Sequence, residues 1–462
     1  MKKVSVDYKN LKSRPILSHR RFHSAIIEQE IESVSKLIKD KELKRMFSQC
    51  LPNTLDTSVY YSEDKKGNPD TFIATGDIPA MWLRDSTNQV WPYIQFINQE
   101  ESLKNLFAGL IRRQAKNICT DPYANAFVDI EEKNPIKNKG WPKGRKWGKD
   151  TWERKWELDS LASFLRLSVE FYRETKDASY FDAIWIKAIT KIFEVIRQEQ
   201  ETLTKDSAKK MYSFYAPNGD LHPAIRMRGF GYPGKKCGLV RNVFRPSDDE
   251  SVFPYLIPAN AMLAVNLRKL TSLLNILHKA KLAKLSAELV DEIEGGIKMN
   301  GIVHHEEFGN IFSYEVDGFG SRYIMDDPNI PSLLSLPYLG YCSNKDPVYI
   351  ATRKMILSDA NPFYAKGKNA EGVTSPHTGV LSHFWPMATI MQALTSNDKN
   401  EIIDCLKTLK KTHAETYFMH ESINVDNPKD YTRPWFCWVN SLFGELILVI
   451  AKRYPDILAN DF

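Results

Sequence analysis

Apolar residues recur at positions i, i+3, i+4 and i+7 in stretches along the whole chain. This spacing places them on one face of a helix, so each stretch predicts an amphipathic α-helix. The predicted helices lie at residues 22–49, 85–118, 156–176, 178–204, 258–278, 281–298, 331–340, 346–358, 378–395, 399–416 and 434–453. Segments with the character of β-strands are few and short. The sequence therefore predicts an all-α protein.

The predicted helices are spread from one end of the chain to the other, without a Gly/Ser-rich linker or low-complexity block between them. No internal repeat occurs, which disfavours a helical solenoid. About a dozen helices in a single domain can pack as an inner and an outer ring of six. We therefore predict an (α/α)6 barrel, in which the loops at one end of the inner helices meet in one pocket. The predicted domain covers residues 1–462, with residues 1–20 as a candidate flexible segment.

The charge balance argues against a dedicated nucleic-acid-binding protein. The chain has 63 basic and 57 acidic side chains, and the net charge of +6 is small for 462 residues. One stretch, from Lys133 to Ser160, places nine basic residues among four tryptophans, a composition that can bind single-stranded nucleic acid. No RNP, OB-fold or helix-turn-helix signature accompanies it, so we favour a solvated loop and predict no nucleic-acid partner.

The six cysteines are scattered, and none forms a CxxC pair or a zinc-binding pattern. The basic N-terminal sequence lacks the apolar core of a secretory signal, and no apolar run is long enough to span a membrane. No P-loop, GxGxxG, HExxH or G-x-S-x-G motif occurs. These features predict a cytoplasmic protein with no membrane contact, no metal and no other cofactor.

Polar groups lie beside aromatic residues in the loop Gly76–Ser86, just before a predicted helix. Trp82 can stack on the apolar face of a sugar ring, and Arg84 can bind sugar hydroxyls. Asp85 or Ser86 can instead cap the helix, and for these two residues capping is as strongly indicated as a binding role.

A second loop of this kind, Trp152–Ser160, places Glu157 and Asp159 at the start of another predicted helix. Negative charge is favourable at a helix N-terminus. A structural role for these carboxylates is therefore at least as strongly indicated as a ligand-binding role.

Adjacent carboxylates beside an arginine occur in the loop Gly238–Glu250, which contains Arg245, Asp248 and Asp249. A helix cap needs one aspartate, so the pair indicates more than capping. Repulsion between neighbouring carboxylates raises the pKa of one, and an arginine lowers the pKa of the other. A carboxyl that stays protonated near neutral pH is what a general acid requires. This loop is therefore the candidate source of acid catalysis.

Two further loops carry candidate ligands. Asp326 and Asp327 follow a DxDG-like run that lacks the remaining ligands of a calcium loop, so we expect them to accept hydrogen bonds from sugar hydroxyls. Glu421 lies between two predicted helices, with His420 and Trp435 nearby. A lone loop glutamate is usually only solvated, but these neighbours make Glu421 a candidate general base.

Six segments, in the order of the chain, resemble motifs of glycoside hydrolase family 125: DIPAMWLRDS, WERKWELDS, FRPSDDE, VDGFGSRYIMDDPNIPSLL, SPHTG and MHESINVD. The resemblance extends from about Phe22 to about Tyr454, and several motifs in register make it specific. Members of this family are exo-acting α-1,6-mannosidases with an (α/α)6 barrel. The resemblance implies an inverting mechanism without a metal and a mannose-containing oligosaccharide as substrate.

The resemblance also implies the roles of individual residues. It aligns the general acid with Asp248, leaves Asp249 as the alternative, and aligns the general base with Glu421. The candidate substrate-binding residues are Trp82, Arg84, Asp85, Arg245, Asp249, Asp326, Asp327, His377, His420 and Arg433. The stretch Lys133–Lys149 is where we expect the greatest departure from the family.

We therefore predict a metal-independent, inverting exo-α-1,6-mannosidase that removes the non-reducing terminal mannose from oligosaccharides or N-glycan fragments. Asp248 would protonate the leaving oxygen while Glu421 deprotonates a water on the opposite face of the sugar. An inverting enzyme holds two such carboxyls about 6.5–9.5 Å apart. Two alternatives stay open, because fold does not determine function: an (α/α)6 glycosidase acting on an α-glucoside, and a carbohydrate-binding protein without activity.

Overall fold

The computed structural model describes residues 12–128, 150–214, 225–379 and 381–462. Residues 1–11 of the candidate flexible segment and the stretch Lys133–Lys149 lie outside the described residues. The α-helices of the described part are α1 (Ala25–Leu37), α2 (Lys41–Cys50), α3 (Asn53–Thr57), α4 (Leu83–Val90), α5 (Glu101–Thr120), α6 (Leu158–Thr175), α7 (Ala183–Glu199), α8 (Ile257–Ile276), α9 (Ala280–Asn300), α10 (Leu336–Leu339), α11 (Pro347–Ile356), α12 (Pro386–Leu394), α13 (Lys399–Lys411), α14 (Cys437–Arg453) and α15 (Pro455–Leu458).

The strands are short, and none exceeds five residues in the part of the chain that the structure describes. They are β1 (Val59–Glu63), β2 (Pro69–Ile73), β3 (Met81–Trp82), β4 (Ala126–Phe127), β5 (Thr151–Glu153), β6 (Tyr255–Leu256), β7 (Ile302–His305), β8 (Gly309–Phe312), β9 (Glu315–Val316), β10 (Arg322–Tyr323), β11 (Tyr364–Lys366), β12 (Glu371–Val373), β13 (His383–Phe384) and β14 (Ile423–Asn424). Antiparallel pairs join β1 to β2, β4 to β5, β7 to β8, β11 to β12 and β13 to β14, while β9 lies between β6 and β10. Because about 49% of the residues are helical, the all-α prediction is confirmed.

Two long predicted helices are interrupted in the structure. The predicted helix 22–49 divides into α1 and α2, because the Asp40 side chain accepts the N–H groups of Glu42 and Leu43 and starts a new helix there. The predicted helix 85–118 divides into α4, a 3-10 turn over Trp91–Phe96 and α5. Pro92 in that turn has no N–H to donate, which ends the regular α-helical bonding.

The start of α4 corrects one expectation. The helix begins at Leu83, so neither Asp85 nor Ser86 lies in the capping position that the sequence suggested. Asp85 lies instead in the first turn, where its negative charge is still favourable. Among the described residues, no helix has both the length and the apolar character that crossing a bilayer requires.

The described residues group into two compact units, each built from separate parts of the chain. One unit consists of the described residues of Met1–Met81, Asp85–Leu110 and Phe363–Phe462; in it, α14 packs against α2, α3 and α12. The other consists of those of Trp82–Arg84 and Ile111–Pro362; in it, α8 packs against α6 and α9. The expectation of one domain over residues 1–462 stays a prediction.

Helix α8 helps to position the loop that carries the candidate acid. Every residue from Ile257 to Leu267 is buried, including the polar Asn260. The Asn260 side chain accepts a hydrogen bond from the N–H of Val240 at 2.8 Å and donates one to its carbonyl oxygen at 3.0 Å. These two bonds fix the chain five residues before Arg245, at the entrance to the candidate loop.

Candidate active site

Two buried carboxyl groups at the N-terminus of α6 share one arginine. Arg84 Nη1 donates to Glu157 Oε2 at 2.6 Å and to Asp159 Oδ2 at 3.1 Å. The Ser160 hydroxyl also donates to Glu157 Oε2, at 3.1 Å. Both carboxyl side chains are fully buried. Arg84 is therefore held inside the protein by an ion-pair network rather than extended into solvent.

Asn125 brings three carboxyl groups together. Its Nδ2 atom lies 2.9 Å from Glu153 Oε2, 3.2 Å from Glu157 Oε1 and 3.2 Å from Asp248 Oδ1. Asn125 directly precedes β4, and the antiparallel pairing of β4 with β5 places Ala126 opposite Glu153. An amide nitrogen carries two hydrogens, so three carboxyl oxygens compete here for two donors.

Asp248 joins this cluster from a tight turn. The N–H of Asp248 donates to the carbonyl oxygen of Arg245 at 2.9 Å, and the N–H of Arg245 donates to that of Asp249 at 2.8 Å. The φ angle of Asp248 is +68°, a left-handed conformation that aspartate adopts more readily than most residues. Arg84 Nη2 lies 4.0 Å from Asp248 Oδ1. The Asp248 side chain is 23% exposed, whereas that of Arg84 is 4% exposed, so Asp248 connects the buried cluster to solvent.

Burial favours protonated carboxyls in this cluster. It raises the pKa of Glu157 well above its usual range; Arg84 opposes the shift, and the charges of Asp248 and Asp159 add to it. Burial also raises the pKa values of Glu153 and Asp159. Protons therefore stay on the cluster at a pH where exposed carboxyls have lost theirs, which is a condition for general acid catalysis.

Arg245 lies beside the acid loop and has a carboxylate partner. Its Nε donates to Glu315 Oε1 at 2.6 Å, and both side chains are almost completely buried. Glu315 Oε2 in turn accepts the N–H groups of Val252 and Phe253, at 2.8 and 2.9 Å. Since Glu315 lies in β9, the pairing of β9 with β6 holds Arg245 and its loop in place.

Asp326 and Asp327 are also buried, and both accept bonds from nearby groups. The two oxygens of Asp326 accept the N–H groups of Leu333 and Leu334, at 2.8 and 3.0 Å. Asp327 Oδ1 accepts the backbone N–H and the side-chain amide of Asn329, at 3.0 and 2.9 Å. Burial raises the pKa of Asp326 to about 8, although the two backbone donors oppose the shift. These bonds give both aspartates a role in shaping the local loop.

Glu421, in the other unit, is held by two donors. Thr432 Oγ1 donates to its Oε2 at 3.0 Å, and Arg433 Nη1 donates to its Oε1 at 3.5 Å. Arg433 is anchored by Asp77, whose Oδ1 accepts its Nε at 2.9 Å and its Nη2 at 2.5 Å. Burial alone would lower the pKa of Arg433, but the carboxylates of Glu421, Asp77 and Asp85 raise it. Arg433 therefore remains a cation beside the candidate base.

Gly76 explains how Asp77 reaches Arg433. Gly76 has a φ angle of +138°, and a Cβ atom there would lie 2.4 Å from the carbonyl oxygen of Trp435. The next residue, Asp77, donates its N–H to that same oxygen at 3.1 Å. Only glycine allows this close approach of the two backbones.

His420 lies next to Glu421 in sequence but is buried under other side chains. Its ring stacks on Tyr431 with centroids 3.7 Å apart, and its Nε2 is 3.0 Å from Thr416 Oγ1. Its Nδ1 is 3.3 Å from the carbonyl oxygen of Arg433. Burial lowers the pKa of His420 to about 4, so the ring is neutral near pH 7. The structure thus places His420 as a support of the loop that carries Glu421 and Arg433.

The remaining candidate residues differ in exposure. Trp82 and Asp85 are largely buried, at 6% and 5% exposure. His377 is exposed and Asp249 is partly exposed, and the His377 ring lies 6.3 Å from that of Trp385. Sequence reasoning did not select Asn125, Asp77 or Thr432 as site residues. Asp77 is the first residue of the DIPAMWLRDS segment, whereas Asn125 and Thr432 lie outside the quoted motifs, and for all three the partners in the structure reveal the role.

The described residues contain no group of three or more His, Cys, Asp or Glu side chains that could hold a metal ion. A family model described as metal-independent alpha-mannosidase (GH125) matches residues 40–448. The chain belongs to glycoside hydrolase family 125. It is therefore a glycoside hydrolase of a metal-independent α-mannosidase family.

Three known proteins are similar to this chain over most of its length. The meiotically up-regulated gene 157 protein of Schizosaccharomyces pombe is 43% identical over 458 residues, which cover 96% of this chain and 89% of that protein. A metal-independent α-mannosidase of Streptococcus pneumoniae, solved in a non-productive complex with α-1,6-mannobiose, is 37% identical with a TM-score of 0.85 and covers 94% of this chain and 100% of that one. A Bacillus rhamnosidase of family GH78 is 11% identical with a TM-score of 0.53, covers 89% of this chain and 35% of that one, and shows a related fold alone. The predicted (α/α)6 fold is confirmed.

Membership of family 125 leads to an expectation for metal removal. Incubation with EDTA, followed by assay in chelator, should leave the turnover of an α-mannoside unchanged, because the family to which the chain belongs is described as metal-independent. Turnover that disappears in EDTA and returns with added calcium would contradict this expectation. A calcium-dependent α-mannosidase treated in parallel shows that the chelation is complete.

Proposed function

We propose that this chain is an inverting exo-α-1,6-mannosidase, which hydrolyses the non-reducing terminal mannose of a mannose-containing oligosaccharide or N-glycan fragment. The choice of substrate is supported by the similarity to the Streptococcus pneumoniae enzyme in complex with α-1,6-mannobiose, at 37% identity over nearly the whole chain. The chemistry is supported by the partly exposed carboxyl of Asp248, which lies beside buried carboxyls whose pKa values are raised by burial.

In this proposal Asp248 is the general acid. It is joined through Arg84 and Asn125 to a buried cluster, and its side chain is 23% exposed, whereas those of Glu157 and Asp159 are fully buried. Asp249, the alternative, accepts a hydrogen bond from the Ser247 hydroxyl at 3.0 Å. The contacts with the cluster therefore favour Asp248.

Glu421 is the proposed general base. Its two oxygens accept hydrogen bonds from Thr432 and Arg433. An ionised carboxylate can only accept hydrogen bonds, so two donors favour the ionised form that a general base needs. Glu421 would take a proton from the water that attacks C1, while the C1–O bond breaks and Asp248 protonates the leaving oxygen. The separation of the two carboxyls at about 6.5–9.5 Å, which inversion requires, stays a prediction.

A substrate panel tests this function. We expect hydrolysis of α-1,6-mannobiose, with weaker or no hydrolysis of the α-1,2 and α-1,3 isomers, maltose and trehalose, measured as released monosaccharide. Release of glucose from maltose or trehalose in preference to mannose would favour the α-glucosidase alternative. Binding of mannobiose without turnover would favour the inactive carbohydrate-binding alternative.

The cytoplasmic location also stays a prediction, which fluorescence imaging of the tagged chain can test.

Asp77 provides a separate test of the base side of the site. We expect Asp77→Asn to lower kcat by up to about a hundredfold, the scale at which a slightly misplaced group affects catalysis, because Arg433 would lose its charged anchor. Steady-state kinetics on α-1,6-mannobiose measure the effect. The control is Asp456→Asn, which removes an exposed carboxylate bonded to Lys399 at 2.7 Å. Equal kcat values for the two variants would contradict a positioning role for Asp77.

A further inference from the structure

The Thr432 hydroxyl lies at the centre of three hydrogen bonds beside Glu421. Its Oγ1 atom is 3.0 Å from Glu421 Oε2, 3.1 Å from the backbone nitrogen of Ser422 and 2.8 Å from Ser422 Oγ. The N–H of Thr432 also donates to the carbonyl oxygen of Ser422 at 3.0 Å. An antiparallel bridge between Ile423 and Tyr431 continues this pairing. Thr432 therefore binds the residue next to Glu421 as well as the Glu421 carboxyl itself.

The direction of these bonds follows from the hydrogens that are available. A hydroxyl group carries one hydrogen and two lone pairs that can accept. The backbone N–H of Ser422 can only donate, and the ionised carboxylate that a general base needs can only accept. The hydrogen of Thr432 therefore points to Glu421 Oε2. Since that hydrogen is used, the bond between the two hydroxyls is donated by Ser422.

Arg433 has a backbone conformation that lets it reach the same carboxyl as the residue before it. In an extended chain, successive side chains point to opposite faces, yet Thr432 and Arg433 both donate to Glu421. The φ angle of Arg433 is +49°, in the left-handed region that arginine rarely adopts. His420 Nδ1 lies 3.3 Å from the Arg433 carbonyl oxygen, and Asp77 binds the Arg433 guanidinium. The chain therefore maintains an uncommon conformation that directs two successive donors to one carboxyl, and such conformations cluster at functional sites.

We propose that Thr432 is a positioning residue that fixes the orientation of the Glu421 carboxylate through its hydroxyl group. This inference rests on the proposed role of Glu421 as the general base. A glutamate side chain has several rotatable bonds, and a slightly misplaced catalytic group loses much of its effect. The contact of Arg433 Nη1 with Oε1, at 3.5 Å, is longer than that of the hydroxyl with Oε2, at 3.0 Å. The hydroxyl therefore sets the orientation, and Arg433 supplies positive charge.

This arrangement acts when water attacks the sugar. A water O–H bond breaks and its hydrogen forms a new O–H bond on Glu421, while an electron pair of the water oxygen forms the bond to C1 and the bond from C1 to the leaving oxygen breaks. The hydrogen of Thr432 stays on Oγ1 throughout. A donor to a carboxylate also favours its ionised form over the protonated form. The hydroxyl therefore affects both the orientation of the base and the pH at which the base is active.

Other charged groups near Glu421 are separate from this hydroxyl. Arg433 lies against the carboxylate, and the charges of Asp77 and Asp85 act on Arg433 in turn. His420, the preceding residue, is neutral near pH 7 because burial lowers its pKa to about 4. A substitution of the threonine leaves all of these groups in place. A change in the pH profile of such a variant therefore reports the lost hydroxyl rather than a lost charge.

The test compares Thr432→Val, which keeps the shape and removes the hydroxyl, with Thr432→Ser, which keeps the hydroxyl. We expect T432V to lower kcat on α-1,6-mannobiose by about ten- to a hundredfold. The acid limb of its kcat/KM profile should move to higher pH, because the ionised carboxylate has lost a donor. T432S should keep kcat within about threefold of wild type and leave the limb in place. An unmoved acid limb in T432V, or a T432S protein as impaired as T432V, would overturn the proposal.

Thr412→Val is the matched control, because it removes a buried hydroxyl that donates to the carbonyl oxygen of Thr408 at 2.8 Å. We expect T412V to keep the wild-type kcat and pH profile. Thermal unfolding of each variant shows whether it is folded. If T432V does not fold, Thr432→Ala replaces it in every comparison, since the smaller side chain lets water reach the N–H of Ser422.

A double substitution separates positioning of the base from a general structural role. Glutamine at position 421 takes no proton, so its orientation no longer matters for water activation. We therefore expect T432V to lower the remaining kcat of Glu421→Gln by less than about threefold. A loss as large in the E421Q background as in wild type would overturn the proposal. The single variant E421Q separates the two proposals: wild-type turnover by E421Q would refute the assigned base, whereas an impaired E421Q beside a T432V that behaves like T412V would refute only the role of Thr432.

Discussion

Replacing Asp248 by asparagine is expected to lower kcat for α-1,6-mannobiose by about a hundred- to ten-thousandfold, the usual contribution of a general acid. Asparagine keeps the size of the side chain, and its carbonyl oxygen can still accept from Asn125 and lie near Arg84. The loss therefore comes from the missing proton rather than from a change of shape. Steady-state kinetics measure the effect, and thermal unfolding shows whether the variant is folded.

A substrate whose leaving group needs no proton distinguishes a loss of acid catalysis from a general loss of function. We expect D248N to retain most of its activity on 2,4-dinitrophenyl α-mannoside, because dinitrophenolate departs without protonation. Asp249→Asn is the decisive comparison, since Asp249 is the alternative acid one position along the chain. Asp404→Asn, a change at a side chain that is 71% exposed, serves as the matched control. If D249N instead of D248N shows the loss that depends on the leaving group, the acid has been assigned to the wrong aspartate.

The helices could be predicted well where local signals determine them. The predicted helices 156–176 and 281–298 correspond to α6 at Leu158–Thr175 and α9 at Ala280–Asn300. Apolar spacing identifies such helices, since each needs only a face to bury. The break at Asp40 was also present in the sequence, as an aspartate that can cap the helix after it. A continuous apolar pattern over residues 22–49 concealed this break, because both short helices bury the same kind of face.

The partners of the site residues could not be predicted in the same way. Asn125 bonds to Asp248 across 123 positions, Arg245 to Glu315 across 70, and Arg433 to Asp77 across 356. No local periodicity relates such residues, because their contacts depend on how the helices pack. The motifs therefore indicated where the chemistry lies, while the groups that orient and charge it became visible only in the folded chain.

Glu157 shows how a correct local rule can be incomplete. Its position before α6 agrees with the expected preference for negative charge at a helix N-terminus. In the structure, however, its side chain forms no capping bond to the helix backbone and contacts Arg84, Ser160 and Asn125 instead. The preference for negative charge at a helix N-terminus explains why a carboxyl is tolerated at this position. It did not identify the partners that make the carboxyl relevant to Asp248.

Replacing Glu421 by glutamine is expected to lower kcat by about a hundred- to ten-thousandfold on mannobiose, because an amide cannot take a proton from the attacking water. The activated leaving group should not restore this loss, since water activation is needed whatever the leaving group is. The variant can keep one of the two bonds, because the glutamine carbonyl oxygen still accepts from either Thr432 or Arg433. Glu415→Gln is the matched control, six residues before Glu421 on a side chain that is 80% exposed.

Rescue by azide and the anomeric configuration of the first product distinguish a base from a nucleophile at Glu421. In an inverting reaction, azide attacks C1 from the face that water would use and needs no base, so it should restore turnover to E421Q and give β-mannosyl azide. Wild-type enzyme should likewise release β-mannose first from an α-linked substrate, as proton NMR of the early product can show. In a retaining enzyme, the second carboxylate forms a covalent intermediate and the first product is α-mannose. Early α-mannose would therefore contradict inversion and assign Glu421 a nucleophilic role, even if E421Q is inactive.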